Sequence, residues 1–447
     1  MSIHPRIPKI KMPLNVLIIG AGCAGPAFAH ALLKTSPKST ITVIERSASL
    51  RTGGQQLDLK AKGIPVARAL GIIDELKAAC VHETGMQMVD RDGKSLIGFG
   101  VNSSSKSSQG LTLTNEYEIM RGDMVKVFYD ASVAERRKIE RNGDRQGSLT
   151  YKFDTTVTRI EQSDKGATVT FSDGQKACYD LVVAADGQNS RTRRMVFGDE
   201  VNKQSFKKMG IQAAYFDIPR LGTDDNDARM YFAPGSRMVM TRTGDRPFKQ
   251  IYLFLMKNDE RHERMRLVHH QPLDKQKEAW AEIFQDAGWE CKRFSDALKT
   301  TDDFYAHEVA QIRMPKLYSG RIVLLGDAGY CPSPFTGMGT TLSLVGSYIL
   351  AGELAKHGYN VDAALQAYHD LMQEPLKKYQ TLPTGGDTSF YPASELGIKI
   401  TNSALWILSS LKIDKLIMWA AGLLPESKDK YELPIYPRLD STAGEKS

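Results

Sequence analysis

The sequence predicts an α/β protein in which one doubly wound domain is assembled from separated stretches of chain, with a β-rich insertion between them and helices at the end. Three observations predict this. A strand–turn–helix unit opens the chain, two later strands end in Asp-Gly and Gly-Asp turns, and alternating apolar strands fill the interval between those turns. At 447 residues the chain also exceeds what one core supports, since single cores stop growing at roughly 250–300 residues.

The first unit is Asn15 to Ile19, a β-branched apolar run that ends in Gly20-Ala21-Gly22-Cys23-Ala24-Gly25, after which Pro26 to Lys34 carries Ala and Leu at helical spacing. In such a pattern Gly20 permits the tight turn, Gly22 lets the backbone approach a pyrophosphate, and Gly25 lets the helix pack closely on the strand. The helix N-terminal NH groups then face the anion. Pro26 is tolerated because a first-turn residue has no intrahelical NH bond to lose. A second strand, Ile41 to Ile44, ends at Glu45-Arg46, about 20 residues past the last glycine, where an acidic side chain accepts hydrogen bonds from an adenosine ribose. This fingerprint alone does not separate FAD from NAD.

Two later segments decide between them. Tyr179 to Ala185 reads as a buried strand ending in Asp186-Gly187-Gln188-Asn189-Ser190-Arg191. Arg321 to Leu325 ends in Gly326-Asp327-Ala328-Gly329, and the loop Pro332 to Thr341, containing Gly337-Met338-Gly339, feeds a helical run from Leu342 to Lys356. Either Asp alone reads as a turn residue. Together and in order, the three motifs resemble the para-hydroxybenzoate-hydroxylase-like family of FAD-dependent monooxygenases over most of the chain. Within that family, Arg51-Thr52-Gly53-Gly54-Gln55-Gln56-Leu57-Asp58-Leu59 and Met120-Arg121-Gly122-Asp123-Met124 are similar to segments of the tetracycline-inactivating flavin monooxygenases and their fungal and bacterial relatives.

The resemblance implies a Rossmann-like, discontinuous FAD-binding domain whose cofactor is contacted by Gly20, Gly22, Gly25, Glu45, Arg46, Asp58, Arg121, Asp186, Asp327, Gly337, Met338 and Gly339. It makes Arg51 the phosphate partner of a transient NADPH or NADH, and Gln212 and Arg237 the substrate contacts. It implies a single-component monooxygenase that uses O2, through a flavin C4a-hydroperoxide, to hydroxylate an aromatic or enolic small molecule such as a polyketide or tetracycline-like compound. A helix N-terminus near Gly337 would favour an anionic flavin electrostatically. No residue is assigned as a substrate base. Two alternatives stay open: a flavin dehydrogenase or reductase on the same fold, and a protein that sequesters a ligand beside its FAD.

The motif positions divide the chain into an FAD-binding domain from 13–88, 115–200 and 306–345, a substrate domain from 89–114 and 201–305, and a C-terminal helical region, 346–447. The strands Met230 to Phe232, Arg237 to Arg242 and Gln250 to Met256 support a sheet in the substrate domain. Tyr215, Phe216, Tyr231, Phe232 and Phe254 read there either as pocket lining or as core. A Ser-rich loop, Asn102 to Ser108, and a Thr/Gly/Pro-rich linker, Thr381 to Pro392, punctuate the chain.

Composition excludes other classes. Hydrophobic content of 41% and charged content of 25% are those of a soluble globular chain, and the net charge of +7 is scattered rather than gathered into a phosphate-tracking stripe, so nucleic acid is not expected as a partner. The five cysteines are dispersed without a CxxC pair, which argues against a disulfide framework or zinc site and for a reducing, cytoplasmic setting. Met1 to Pro13 has no apolar run of the secretory kind. The run Lys257 to His270, with His262, His269 and His270, reads as an exposed helix face rather than a metal site. Ser403 to Leu424 is apolar but interrupted by Lys412, Asp414 and Lys415, hence an amphipathic helix pair rather than a span, with membrane-surface contact as the alternative. A monomer is the expectation.

Overall fold

The computed structural model describes residues 13–51, 53–100, 117–257, 259–382, 392–411 and 431–440. The Asn102 to Ser108 loop, most of the 381–392 linker and residues 412–424 of the late apolar segment lie outside the described residues.

The chain opens with β1 (Asn15–Ile19), α1 (Ala24–Thr35), β2 (Thr40–Ile44), β3 (Gln56–Asp58), α2 (Gly63–Leu70), α3 (Ile73–Ala78), β4 (Gly85–Val89) and β5 (Ser95–Gly100). It continues through β6 (Glu118–Met120), α4 (Arg121–Arg141), β7 (Ser148–Lys152), β8 (Val157–Ser163), β9 (Gly166–Phe171), β10 (Lys176–Tyr179), β11 (Leu181–Ala184) and α5 (Arg191–Ser205). The middle comprises β12 (Phe206–Pro219), β13 (Ala228–Ala233), β14 (Arg237–Arg242), β15 (Phe248–Leu255), α6 (Glu260–Val268), α7 (Leu273–Phe284), α8 (Cys291–Leu298) and β16 (Phe304–Ile312). The last elements are β17 (Tyr318–Ser319), β18 (Ile322–Leu324), α9 (Asp327–Tyr330), α10 (Gly339–Lys356), α11 (Val361–Tyr379) and α12 (Glu395–Ser410).

Two sheets organise these elements. The first has the order β17-β18-β11-β1-β2-β7, and its five longer-range neighbours β18, β11, β1, β2 and β7 run parallel. Its central strands β1, β11 and β18 are nearly continuous apolar runs, as expected of a sheet covered on both faces. Helix α1 buries every residue but Lys34 and shares one core with α4 and α10, through Phe28, Leu32, Phe128, Leu344 and Tyr348. The three motif-bearing strands β1, β11 and β18 are adjacent, so their C-terminal turns converge at one edge, where ligands of doubly wound sheets bind.

The second sheet, β16-β12-β15-β14-β13-β4-β5, is mostly antiparallel. Its two faces carry separate cores. On the back face Ala214, Phe216, Tyr231 and Leu253 pack with Met265, Trp280 and Phe284 of α6 and α7. On the front face Tyr215, Met238, Tyr252 and Phe254 pack with Phe335, which belongs to the loop ahead of α10. The front therefore looks at the parallel-sheet domain.

The sheet redraws the boundaries that the motifs suggest. β16 extends the second sheet to Ile312 and β4 enters it from Gly85, while the break at 345/346 falls inside α10. Residues 431–440 return to the first domain: the Tyr436 hydroxyl donates to Glu353 at 2.7 Å, and Arg438 donates to the Thr35 carbonyl at 2.9 Å. Helix α12 buries Ile398 and exposes Leu396, Ile400, Trp406, Ile407 and Leu411. No helix of the described residues is long and apolar enough to cross a membrane.

A buried ionic node ties the second sheet to the short β3–β6 ribbon that leads into α4. Arg242 of β14 donates to both Glu83 oxygens, at 3.0 and 2.6 Å, and to Glu118 of β6, all three side chains being at most 8% exposed. Removing one partner of such a node strands the others in low dielectric. Arg242→Met leaves two buried carboxylates unneutralised and is expected to cost about 3–5 kcal/mol, read as a lower denaturation midpoint; an unchanged midpoint would show that the node is dispensable.

Candidate active site

The three glycines of the first turn answer to three different constraints. Gly20 has φ +110°, and a Cβ there would lie 2.4 Å from the Ala185 carbonyl oxygen. A Cβ at Gly25 would lie 2.0 Å from the Gly20 carbonyl oxygen, so the helix can sit on its own turn only without a side chain. A Cβ at Gly22 would meet none of the described residues beyond its own turn within 4 Å. The bare backbone there faces open space at the start of α1, the cradle that a pyrophosphate occupies.

Around the cradle the sequence-expected residues gather. Glu45 is buried and accepts from Ala21 N at 3.0 Å and from Ser47 N at 3.1 Å. Arg51 lies 3.7 Å from Glu45 and donates to Ser47 Oγ at 3.2 Å. Arg46 is exposed beside it. Burial first, then the neighbouring Arg46 and, further down, Arg121, lower the Arg51 pKa, while Glu45 alone opposes them. Three guanidiniums against one carboxylate leave a surplus of positive charge that suits an anionic ligand.

Asp327, half-buried at the start of α9, has its carboxyl pKa raised by burial, with Arg121 holding it down. The same Arg121 and Asp327 both act on the Cys23 thiol, which burial pushes up to about 11. Arg121, Cys23 and Asp327 therefore share one locus, and a Cβ at Gly339 would lie 4.0 Å from Asp327 Oδ1. At Gly337, φ +60°, a Cβ would lie 2.5 Å from Lys60 Nζ and 2.7 Å from Asp58 Oδ2, and the Lys60 ammonium is 3.4 Å from the Asp58 carboxylate. Met338 is buried between Gly337 and the first residue of α10; the helix begins at Gly339, near Gly337 and three residues ahead of the run that starts at Leu342.

Asp186 performs a visible local task. It accepts from Ser190 Oγ at 2.5 Å and from Thr192 N and Oγ1 at 3.1 and 2.9 Å, bracing the first turn of α5. Next to it is a residue that motif reading missed. Arg193, fully buried, donates to the Ala328 carbonyl at 2.7 Å and to the Gln188 carbonyl at 2.8 Å, joining the two Asp-bearing turns. Burial lowers its pKa to about 10, so it remains a cation.

The substrate contacts expected on the sheet are placed otherwise. Gln212 and Arg237 point to the back face. The Gln212 amide nitrogen is 3.2 Å from His262 Nε2, and Arg237 donates to the Ile283 carbonyl at 2.6 Å and to Asp286 at 2.5 Å, over the Phe284 ring. Strand alternation sends them away from the cleft, because Ala213 and Met238 occupy the front. His262 is fully buried against Gln212, which corrects the reading of its helix as an exposed face. Among the five aromatics, Tyr215, Phe232 and Phe254 are on the front, and Phe216 and Tyr231 on the back.

The front face also clips the loop that carries Arg51. Gln250 Nε2 donates to the Gly54 carbonyl and to Asp217 Oδ1, both at 3.0 Å, while Gln56 N donates to Gln250 Oε1 at 3.0 Å and to the Tyr252 hydroxyl at 2.9 Å. Tyr305 donates to Gln55 Oε1, and Arg121 N to the Gln55 carbonyl at 3.2 Å.

This geometry matches a known family. Residues 13–375 fit the family model described as "FAD binding domain". The chain is an FAD-dependent monooxygenase. It is 38% identical to "FAD-dependent monooxygenase asL6" of Sarocladium schorii over 97% of this chain and 100% of that protein. It is 34% identical to "Flavin-dependent monooxygenase eupH" of a Phoma species over 86% and 90%. Among solved structures, tetracycline destructase Tet(55) superposes with a TM-score of 0.72 at 27% identity, covering 94% of this chain and 98% of that one. In this monooxygenase the open backbone at Gly22 and the Asp327–Gly339 approach fit FAD.

Two outcomes follow. Because a Cβ at Gly22 meets none of the described residues beyond its own turn, Gly22→Val should fold with near wild-type stability yet carry almost no FAD; a stable variant with full flavin content refutes the cradle. The Asp217 carboxyl is pushed up to about 7 by burial and by the neighbouring Asp303, against the hydrogen bond from Gln250. Its folded pKa thus exceeds the unfolded value near 4, so the folded state holds the extra proton and stability falls as pH rises from about 4 to 7. Asp217→Asn removes that loss, and its melting-temperature advantage over wild type should grow from pH 5 to pH 8; a constant difference contradicts the assignment.

Proposed function

We propose that this monooxygenase uses NADPH or NADH and O2 to hydroxylate a flat aromatic or enolic small molecule bound between the flavin and the front of the seven-stranded sheet. The observation that carries the reading is the orientation of that face. Tyr215, Tyr252, Phe254, Met238 and Phe335 form an apolar layer directly opposite the FAD segments, and apolar walls with few polar groups suit planar ligands and exclude water. FAD, when bound, supplies the redox chemistry and activates oxygen. The chain's own residues supply the rest. The Gly22 turn and the α1 N-terminus hold the pyrophosphate, Glu45 the adenosine ribose, and Asp327 with the Gly337–Gly339 loop the flavin end. Arg121 offsets negative charge near the flavin, and the α10 N-terminus adds to it.

Supporting the choice of substrate class are the named relatives: a tetracycline destructase, whose name declares its target, and fungal monooxygenases. A polyphenolic or enolic polyketide fits the same walls. Arg51 is the phosphate partner of the nicotinamide co-substrate, drawn from the surplus of positive charge beside Glu45.

The reading is tested with a panel of resorcinols, hydroxynaphthoquinones and tetracycline under labelled oxygen. One compound should raise NAD(P)H consumption and gain one labelled oxygen atom; stimulated consumption with an unlabelled oxidised product would indicate a dehydrogenase. Arg51→Ala should raise the KM for NADPH about tenfold with a smaller change in kcat, and an unchanged KM removes Arg51 from that role.

A further inference from the structure

We propose that Tyr215 and His307 form a hydroxyl-recognition subsite on the front of the sheet, which selects substrates carrying a ring or enol hydroxyl facing it. The inference rests on the proposed binding of substrate at this face and names the residues that would give it specificity.

Tyr215 is 4% exposed, and its hydroxyl has no hydrogen-bond partner among the described residues. A buried orphan hydroxyl costs free energy unless a ligand or water satisfies it. Its surroundings place it at the cleft: Tyr252 and Phe254 flank it edge-on, Phe335 packs on Phe254 from the FAD side, and Cys331 after α9 lies within electrostatic range. His307 stands beside it. β12 and β16 pair Ala213 with His307 and Tyr215 with Tyr305, so all four share the front face. The rings stack, with centroids 4.8 Å apart for Tyr215–Tyr305, 5.7 Å for Tyr215–His307 and 5.9 Å for Tyr305–His307, and interplanar angles of 15° or less.

Tyr252 and Tyr305 spend their hydroxyls on Gln250 and Gln55 at the seam between the domains. Among the described residues Tyr215 and His307 make no such bond, and they stand in the apolar part of this face. Burial above all, together with the neighbouring His269 and the Arg121 guanidinium, lowers the His307 pKa to about 4. The imidazole is therefore neutral at physiological pH and can both donate and accept. So acidic an imidazolium marks a poor base toward a phenol, whose pKa lies near 10. The pair therefore anchors a hydroxyl instead of removing its proton: one nitrogen of His307 accepts from the substrate hydroxyl, and Tyr215 donates to the same oxygen.

The test uses the holoenzyme and two probes on one ring, 2,4-dihydroxybenzaldehyde and its dimethyl ether 2,4-dimethoxybenzaldehyde, which cannot donate from either oxygen, titrated against the visible spectrum of oxidised flavin. Wild type should bind the dihydroxy compound at least about tenfold more tightly, the worth of one good hydrogen bond. Tyr215→Phe and His307→Leu should each lower that preference several-fold while binding of the dimethoxy compound and flavin content hold, and His307→Gln should restore part of it. A purely structural role would weaken both probes together. Equal affinities in wild type, no binding of the dihydroxy compound, or an unaltered preference in both variants would overturn the subsite. Labelled-oxygen incorporation is read separately, so the subsite can fail while monooxygenation stands.

Discussion

The active cleft exists because two independently packed sheets are held at a fixed separation, and the hydrogen-bonded seam through Gln250 and Arg242 does the holding. The Gln250 amide is used on both ends: its nitrogen serves Gly54 and Asp217, and its oxygen receives Gln56 and Tyr252. Arg242 fixes the strand beside it to Glu83 and Glu118. Such polar contacts add little net stability compared with apolar packing, yet each is costly to break once buried. They act as a register. Apolar layers alone would let the sheets slide, whereas paired donors and acceptors permit one arrangement, and the loop that runs from Arg51 to Asp58 takes its position from it.

Within the first domain, stability and binding are divided among neighbouring glycines. Gly20 and Gly25 are demanded by the protein's own backbone, at distances that no side chain could tolerate. Gly22 meets no comparable obstacle among the described residues, and its place at the α1 N-terminus leaves that space to an anion. Arg193 and Asp186 play the corresponding part on the next strands, bracing the turns that follow β11 and β18 so that Asp327 meets Arg121 and Cys23 at one place. The cost of burying Asp327 is met in part by the opposite charge of Arg121.

The strands and turns that the motifs predicted were legible because their signals are local. Strand, glycine turn and helix follow one another in sequence, and each Asp sits at the end of an apolar run. The order of the strands then brings the turns together. The substrate half was less legible for a physical reason. Alternation along β12 and β14 shows that a strand has two faces but not which one looks at the flavin, so Gln212 and Arg237 were expected at a cleft from which they point away. The residues that do face it, Tyr215 and His307, lie on strands far apart in sequence and become neighbours only through pairing with register Ala213–His307. His262 illustrates the same limit: a run dense in charge still turns one residue fully inward. Arg193 sits only two residues beyond the Asp186 segment, but nothing in its neighbours signals that it reaches Ala328. The domain limits suffered likewise, because β16 continues the substrate sheet past the expected boundary.

The central claim is that the Gly22 cradle and the Asp327–Gly339 approach hold FAD, and the visible absorption spectrum of the purified protein tests it most directly. The account predicts a yellow protein with flavin bands near one FAD per chain, released as FAD on denaturation. A colourless protein that takes up no FAD on reconstitution would contradict it.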